Sequence, residues 1–330
     1  MIGTALVGLG EVGQVHLRAL ASHAGSQLRV LCDLDSELLA RDAHNAVSAT
    51  RDLDELLADT AVSVVSICLP HHLHEPVAIR CLEAGKHVLL EKPMTMTVAQ
   101  ADRVLAIARA TGRRVGVSHN QVFFRPHAEA RRMIVAGELG TLHQLRARLV
   151  IGGTYGAWRS DPALAGGGLL IDAGVHRIYT LRHLAGEIHA VSAVMRDPGN
   201  EEAFIVTLEH ESGAVSVIDG CYHGPAGVFD DQIEIVGSQA LLQIVGCEAF
   251  FEGFAHGPQL RIHRDGAWHD SEVTDTWDSS VIASVQGFVD AIAADRDPPV
   301  TGADGRSVVA AIEAAYESAR TRRRVEVAHA

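Results

Sequence analysis

The stretch TALVGLGEVGQVHLRAL, residues 4–20, constrains this chain more than any other. A short apolar run ends at Gly8, Gly10 and Gly13 follow, and the next residues take helical spacing. A G-x-G-x-x-G pattern gains meaning from that setting of strand, tight turn and helix. Gly8 allows the turn, Gly10 lets the backbone approach a pyrophosphate, and Gly13 lets the helix pack closely on a sheet. A pyrophosphate would rest at the helix N-terminus, where unpaired N–H groups and the dipole favour an anion. Glu11 and Val12 lie in the same turn and count among the cofactor-contacting candidates.

A second apolar run, QLRVLCDLD, ends in Asp33, about twenty residues past the fingerprint, where a carboxylate can accept bonds from the adenosine ribose hydroxyls. The plainer reading of Asp33 is a turn acid after a strand. Leu34 follows, with no adjacent cation to neutralise a 2′-phosphate, so the pattern favours NAD over NADP. The alternation then continues through DLDELLAD, AVSVVSICLP, HEPVAIRCLEAG, KHVLLEKP, TVAQADRVLAIARATG and RRVGVSH. Repeated strand–helix units imply a doubly wound parallel sheet, which binds ligands beyond the carboxyl ends of its strands. Two such ends are chemically loaded. ICLPHHLH offers Leu69, Pro70, His71 and His74 to the cofactor, with His72 facing solvent. LLEKP offers Glu91 and Lys92, with Pro93 a candidate cis peptide that would aim the lysine.

At 330 residues the chain exceeds one comfortable core, so two domains are expected. A formal charge of −13 argues against nucleic acid or an anionic membrane as partner. The basic cluster RTRRR at 320–324 reads as cations ending a helix. Cysteines 32, 68, 81, 221 and 247 show no C-x-x-C spacing, which fits a reducing compartment rather than a disulfide framework. Without a signal segment or spanning run, a cytoplasmic location is expected. Among nineteen histidines, His71, His72 and His74 invite a metal, but no carboxylate or thiol stands at a ligand spacing, so no metal site is expected.

The second half reads differently. Strand-like runs include LHQLRARLVIG, HAVSAVMR, EAFIVTLEH, AVSVIDGCYH, DQIEIVGSQALLQIVG and QLRIHRDGAWH. Ahead of most of them stands GGGLLIDAGVH, residues 166–176, with three glycines before Asp172 and His176. Glycine triplets weaken helices and strands alike. If residues 169–184 form a helix, the acid and the imidazole share one face a turn apart, and the glycines let the segment approach cofactor or substrate. Alone, Asp172 and His176 would be an ordinary helical pair.

VGLGEVG, PHHLHEPVAIRCLEAGKHVLLEKPMTMT, GGGLLIDAGVHRIYTLRHLAG and PPVTGADGRSVVAAIEAAYESARTRRRVEV together resemble the Gfo/Idh/MocA oxidoreductase family, in its order and over nearly the whole chain. The resemblance implies an N-terminal Rossmann domain, taken as residues 1–121, and a C-terminal α/β domain, residues 122–330. The latter carries a large, mostly antiparallel open sheet and closing helices at 279–294 and 304–323. It further implies a homodimer or homotetramer, and a catalytic set of Lys92, Asp172 and His176. Tyr179 departs from the acid many relatives carry there.

Oxidising a secondary alcohol sends a hydride to nicotinamide while the hydroxyl loses a proton. His176 is the expected general base, Lys92 the donor to the reacting oxygen, and Asp172 an orienting or hydroxyl-binding group. Loops beside these motifs offer His119, Asn120, Arg125, Tyr155, Trp158 and Arg159 as substrate contacts. Aromatic surface with amide and guanidinium donors suits a polyhydroxylated ring, although an arginine pair would equally suit a carboxylate or phosphate. Two alternatives stand beside a sugar or cyclitol dehydrogenase: a redox-neutral NAD-dependent glycoside hydrolase or lyase, and a non-catalytic nucleotide sensor.

Overall fold

The computed structural model describes residues 1–42, 48–153, 156–225, 227–245 and 257–328. Its contacts divide the chain into two units, residues 1–119 with 281–306, and 120–280 with 307–330.

The first unit alternates strand and helix: β1 Ile2–Val7, α1 Glu11–Ser22, β2 Ser26–Cys32, α2 Ser36–Asp42, β3 Ser48–Thr50, α3 Leu53–Ala58, β4 Val64–Ile67, α4 His74–Glu83, β5 His87–Glu91, α5 Val98–Thr111 and β6 Val115–Ser118. The strands lie in the order β3-β2-β1-β4-β5-β6, all parallel, which is the doubly wound dinucleotide-binding order. β4 and β5 are buried at every residue, as sheets covered on both faces require. Local chemistry sets helix ends. Asp52 caps α3, a reciprocal Thr97–Gln100 capping box opens α5, and Gly112 closes it in the left-handed region at φ +65°.

In the second unit run α6 Arg125–Val135, β7 Leu142–Ile151, α7 Pro162–Ala165, a wide π-type turn Leu170–Gly174, α8 Val175–Ala185, β8 Ile188–Met195, β9 Ala203–His210 and β10 Val215–Cys221. Then come β11 Phe229–Asp230, β12 Ile233–Gly237, β13 Leu241–Ile244, β14 Leu260–Arg264 and β15 Ala267–Asp270; α9 Trp277–Ala293 lies mostly in the first unit, and α10 Gly302–Thr321 and β16 Val325–Glu326 return to the second. The sheet order is β15-β14-β13-β12-β7-β10-β9-β8-β16, with β11 on β7. β7 and β10 pair in parallel, and the other pairings among the described residues are antiparallel. Burial alternates along β9 and β10, so one face meets the core and the other lies open. On the open face Val194 and Ile205 are paired neighbours, 74% and 54% exposed.

The sequence places both closing helices in the second domain; by contacts, residues 281–306, which hold most of α9, group with the first unit, and most of α10 groups with the second. Phe288 of α9 lies where a Cβ on Gly116 of β6 would come within 2.6 Å of its ring, and Gln286 donates to the Ala19 carbonyl of α1. Amphipathic spacing marks a buried face without saying what buries it. Phe288→Ala should therefore lower unfolding stability by about 3–5 kcal/mol, measured as a shift of the denaturant midpoint. A shift worth under about 1 kcal/mol would place this ring outside the core.

Candidate active site

In the first unit the site is built at one edge of the sheet. Val7 pairs with both Cys32 and Ile67, and Ile67 pairs with Leu90. The residues that follow these strands, Gly8, Asp33, Leu69 and Lys92, thus leave the sheet on the same side. Gly8 has φ +92°, and a Cβ there would sit 2.1 Å from the Cys68 carbonyl oxygen. A Cβ at Gly13 would sit 2.2 Å from the Gly8 oxygen, whereas nothing lies within 4 Å of one at Gly10. Gly8 and Gly13 are bare because protein backbone approaches them, and Gly10 because it faces open space at the N-terminus of α1. That is the shape a pyrophosphate requires, and Glu11 and Val12 begin the helix behind it.

Asp33 is half-buried, and its two oxygens accept the Leu9 N–H at 2.7 Å and the Asp35 N–H at 2.9 Å. These bonds fix the carboxylate against the glycine turn while leaving lone pairs for ribose hydroxyls. Leu34 is 75% exposed. The sequence suggests no cation near this corner, yet Arg41 reaches it from α2. Its guanidinium lies 3.4 Å from the Leu9 oxygen and 2.8 Å from the Asp42 carboxylate. Helical placement brought the cation in from eight residues away.

Lys92 is half-buried, and the Lys92–Pro93 peptide is cis. Beneath it lies a buried polar chain that sequence reasoning missed. Ser66 of β4 meets His16 Nδ1 at 2.7 Å, His16 Nε2 meets Glu91 Oε1 at 3.0 Å, and the Lys92 N–H donates to Glu91 Oε2 at 3.2 Å. His16 and Ser66 are fully buried. The one available signal was a histidine on the buried face of α1, next to Val15 and Leu17. Burial would raise the Glu91 carboxyl, but His16, Lys92 and the Ser118 hydroxyl outweigh it and hold it below the usual carboxylate range. Glu91 therefore stands behind the lysine and grips its backbone.

The histidine cluster resolves in the same way. His74 is fully buried, with Nδ1 2.8 Å from the Pro93 oxygen and Nε2 2.8 Å from the Leu69 oxygen. Both ring nitrogens face carbonyls, so His74 ties the Leu69–Pro70 strand end to the lysine turn. Burial pushes its pKa down. His71 is buried edge-on to His74 at 5.7 Å, and His119 is buried at the end of β6. Among the described residues no group of three His, Cys, Asp or Glu side chains could hold a metal.

In the second unit Asp172 is buried in the π-type turn. The Tyr222 hydroxyl donates to Oδ2 at 3.1 Å, and Arg159 Nε lies 3.4 Å from Oδ1. The Arg159 guanidinium stacks on the Trp158 ring at 4.6 Å, so Trp158, Arg159 and Asp172 do come together. Tyr222, at the end of β10, was not anticipated, since nothing local marks it. His176 follows in the first turn of α8. Tyr179 is buried and stacks on His183 with 6.3 Å between ring centroids. Arg177 is fully buried and donates from Nη1 to Gln121 Oε1.

Two substrate-contact expectations fare differently. The Asn120 amide donates to Ser280 Oγ at 2.7 Å, and Arg125 binds the Asp275 carboxylate through its N–H and the Thr274 carbonyl through its guanidinium. Both hold the 274–280 segment. Tyr155 lies outside the described residues. The glycine triplet also has a different reason from the one expected. A Cβ at Gly167 would lie 2.3 Å from the Tyr316 hydroxyl, and one at Gly168 would lie 2.2 Å from the Glu201 carbonyl oxygen. Protein, not ligand, demands bare backbone there.

If His16 is what keeps Glu91 charged, His16→Ala should cost about 3–5 kcal/mol at pH 7, because a buried carboxylate loses its partner. Glu91 then becomes an acid whose folded pKa is raised by burial, so the penalty should shrink as pH falls toward its ordinary 4.5. In the wild type the sign is opposite. The lowered Glu91 contributes stability above that pH and loses it as pH falls through the folded value. Denaturant midpoints of both proteins from pH 7 to pH 4 provide the check; a pH-independent penalty would refute the charge argument.

Residues 2–119 match the family described as "Oxidoreductase family, NAD-binding Rossmann fold", and residues 127–243 match "GFO/IDH/MocA C-terminal domain". The chain is 30% identical over 241 residues to 4-carboxy-2-hydroxymuconate-6-semialdehyde dehydrogenase of Sphingobium sp., covering 68% of this chain and 74% of that one. It is 23% identical to myo-inositol 2-dehydrogenase of Thermotoga maritima, covering 98% and 97%. A solved structure of levoglucosan dehydrogenase with NADH and L-sorbose superposes with a TM-score of 0.85 at 23% identity, covering 100% and 99%.

Proposed function

Because the chain belongs to the Gfo/Idh/MocA oxidoreductase family, we propose that it is an NAD-dependent dehydrogenase of a secondary hydroxyl on a sugar, cyclitol or sugar derivative. The observation that carries this reading is the shared edge of the first sheet, where the open Gly10 turn, Asp33 and Lys92 leave neighbouring strands. Nicotinamide, when bound, supplies the hydride acceptor.

The chain's own residues handle the proton and the alkoxide. Lys92 donates to the reacting oxygen and stabilises negative charge as it develops. His176 removes the hydroxyl proton in oxidation and returns it in reduction. Asp172, gripped from one side by Tyr222 and from the other by Arg159, presents a fixed carboxylate to a neighbouring substrate hydroxyl. The Arg125 guanidinium is directed to the Thr274 carbonyl and Arg159 to Asp172, so the arginine pair that would have suited a carboxylate or phosphate is not assembled. That favours a neutral polyol, bound against the Trp158 ring. NAD is preferred because the Asp33 carboxylate would repel a 2′-phosphate and Arg41 is paired with Asp42. The open sheet face around Val194 and Ile205 is the surface for a homodimer or homotetramer.

A screen of sugars and inositols for NAD reduction tests the reading directly. Accumulating NADH supports a dehydrogenase, whereas turnover of a glycoside without it would mark the redox-neutral alternative. With an active substrate, His176→Ala and Lys92→Ala should each lower kcat by about 10²–10⁴-fold with NAD affinity retained. Loss of cofactor binding instead would remove the residue from its assigned role. Asp33→Ala should raise kcat/KM with NADP relative to NAD by about tenfold, a change of about 1.4 kcal/mol. An unchanged ratio would mean that the ribose is read elsewhere.

A further inference from the structure

We infer that Glu201, far from the motif in sequence, is a positioning residue for Asp172: its carboxylate caps the π-type turn that carries the acid. This rests on the proposed role of Asp172 and extends the site to a residue outside the family's signature stretches quoted above.

The argument starts with an unmet need. The first N–H groups of a helical turn have no partner within it, and a side chain just ahead usually accepts one of them. Here the preceding residues are Gly166, Gly167, Gly168 and Leu169, none of which can do so, and no side-chain cap comes from Leu169. Glu201, between β8 and β9, supplies it. Its Oε1 accepts the Leu170 N–H at 2.7 Å, and its own carbonyl accepts the Leu169 N–H at 2.9 Å.

The cap is itself held. Glu201 is 1% exposed, its Oε2 accepts the Gly199 N–H at 3.1 Å, and the Tyr316 hydroxyl donates to Oε1 at 3.2 Å. Gly167 and Gly168 are bare so that Tyr316 and the Glu201 backbone can come this close. Burial pushes the Glu201 carboxyl up against the pull of these donors. A surface stabiliser would not need an acid in such a place. The bonds end two residues before Asp172, whose own N–H reaches back to the Gly168 oxygen at 3.2 Å. Freeing Leu170 thus frees the turn in which Asp172 meets Tyr222 and Arg159. A displacement of about 1 Å at such a group can cost about 10² in rate.

The test pairs Glu201→Ala with Glu201→Gln, which keeps an acceptor oxygen for Leu170, and reads two signals. Hydrogen exchange across 169–174 needs no substrate. Protection there should fall at least about tenfold in the alanine variant and largely return in the glutamine variant. With an active substrate, kcat should fall by about 10²-fold in the alanine variant and recover most of the way with glutamine, the KM for NAD unchanged in both. Unchanged exchange in this turn, a kcat loss that only tracks the folded fraction, or glutamine as damaging as alanine would each overturn the proposal. If Glu201→Ala fails to fold, Tyr316→Phe loosens the cap by one donor and should move both signals the same way by less. A wild type that reduces NAD with no polyol would sink the dehydrogenase reading, while the exchange measurement would still decide whether Glu201 holds the turn.

Discussion

Close approach of backbone to backbone is the constraint on which the candidate residues of each unit depend. In the first unit the Gly8 oxygen lies where a Cβ on Gly13 would stand, and the Cys68 oxygen does the same to Gly8. In the second, Gly168 meets the backbone of Glu201. A carbonyl about 2 Å from a would-be Cβ leaves no room for any other residue, and the offending atoms cannot swing aside as a side-chain tip can. Each contact sets where a helical segment begins. One start leaves N–H groups and the open space at Gly10 facing outward; the other delivers Asp172.

A second theme is the buried carboxylate that works through another residue. Glu91 and Glu201 are both almost fully buried and both accept backbone N–H groups, from Lys92 in one case and Leu170 in the other. Burying an acid is costly, and the cost is tolerable only where donors surround it. His16 and Ser118 perform that service for Glu91, and Gly199 and Tyr316 for Glu201. In return each acid pins backbone beside a group proposed to act on substrate. Neither would be replaced without loss by an apolar residue of similar volume, since the N–H it satisfies would be orphaned.

The sequence was most legible where its signals are local. Strand–turn–helix alternation, the glycine spacing and the acid ending β2 are read within a dozen residues, and the six-stranded order follows from them with few rules. The second sheet was legible as strands but not as an order, because the parallel pairing of β7 with β10 joins residues about seventy apart and leaves no mark on either. Lys92, Asp172 and His176 stood out through the motifs that carry them. Tyr222, Arg41, His16 and Glu201 did not, since each is defined by what it touches across the fold. The same limit applies to His74 and Asn120, which have the chemistry of ligand-binding residues and whose protein partners no local signal announces.

Those occupied residues sharpen the substrate argument. A site meant for an anionic group needs unengaged cations, yet Arg125 is turned onto the 274–275 segment and Arg159 faces a carboxylate. An Arg159 shared between the Trp158 ring and Asp172 has its plane and one edge defined before any ligand arrives. Such a pair offers a flat apolar face beside a carboxylate acceptor. The hydroxyls of a polyol would find an acceptor in Asp172, and its C–H face would find the indole. A carboxylate brought to the same place would meet Asp172 first. The proposed selectivity for neutral polyols would therefore come less from what the site attracts than from the acid held at its wall by Tyr222 and Arg159.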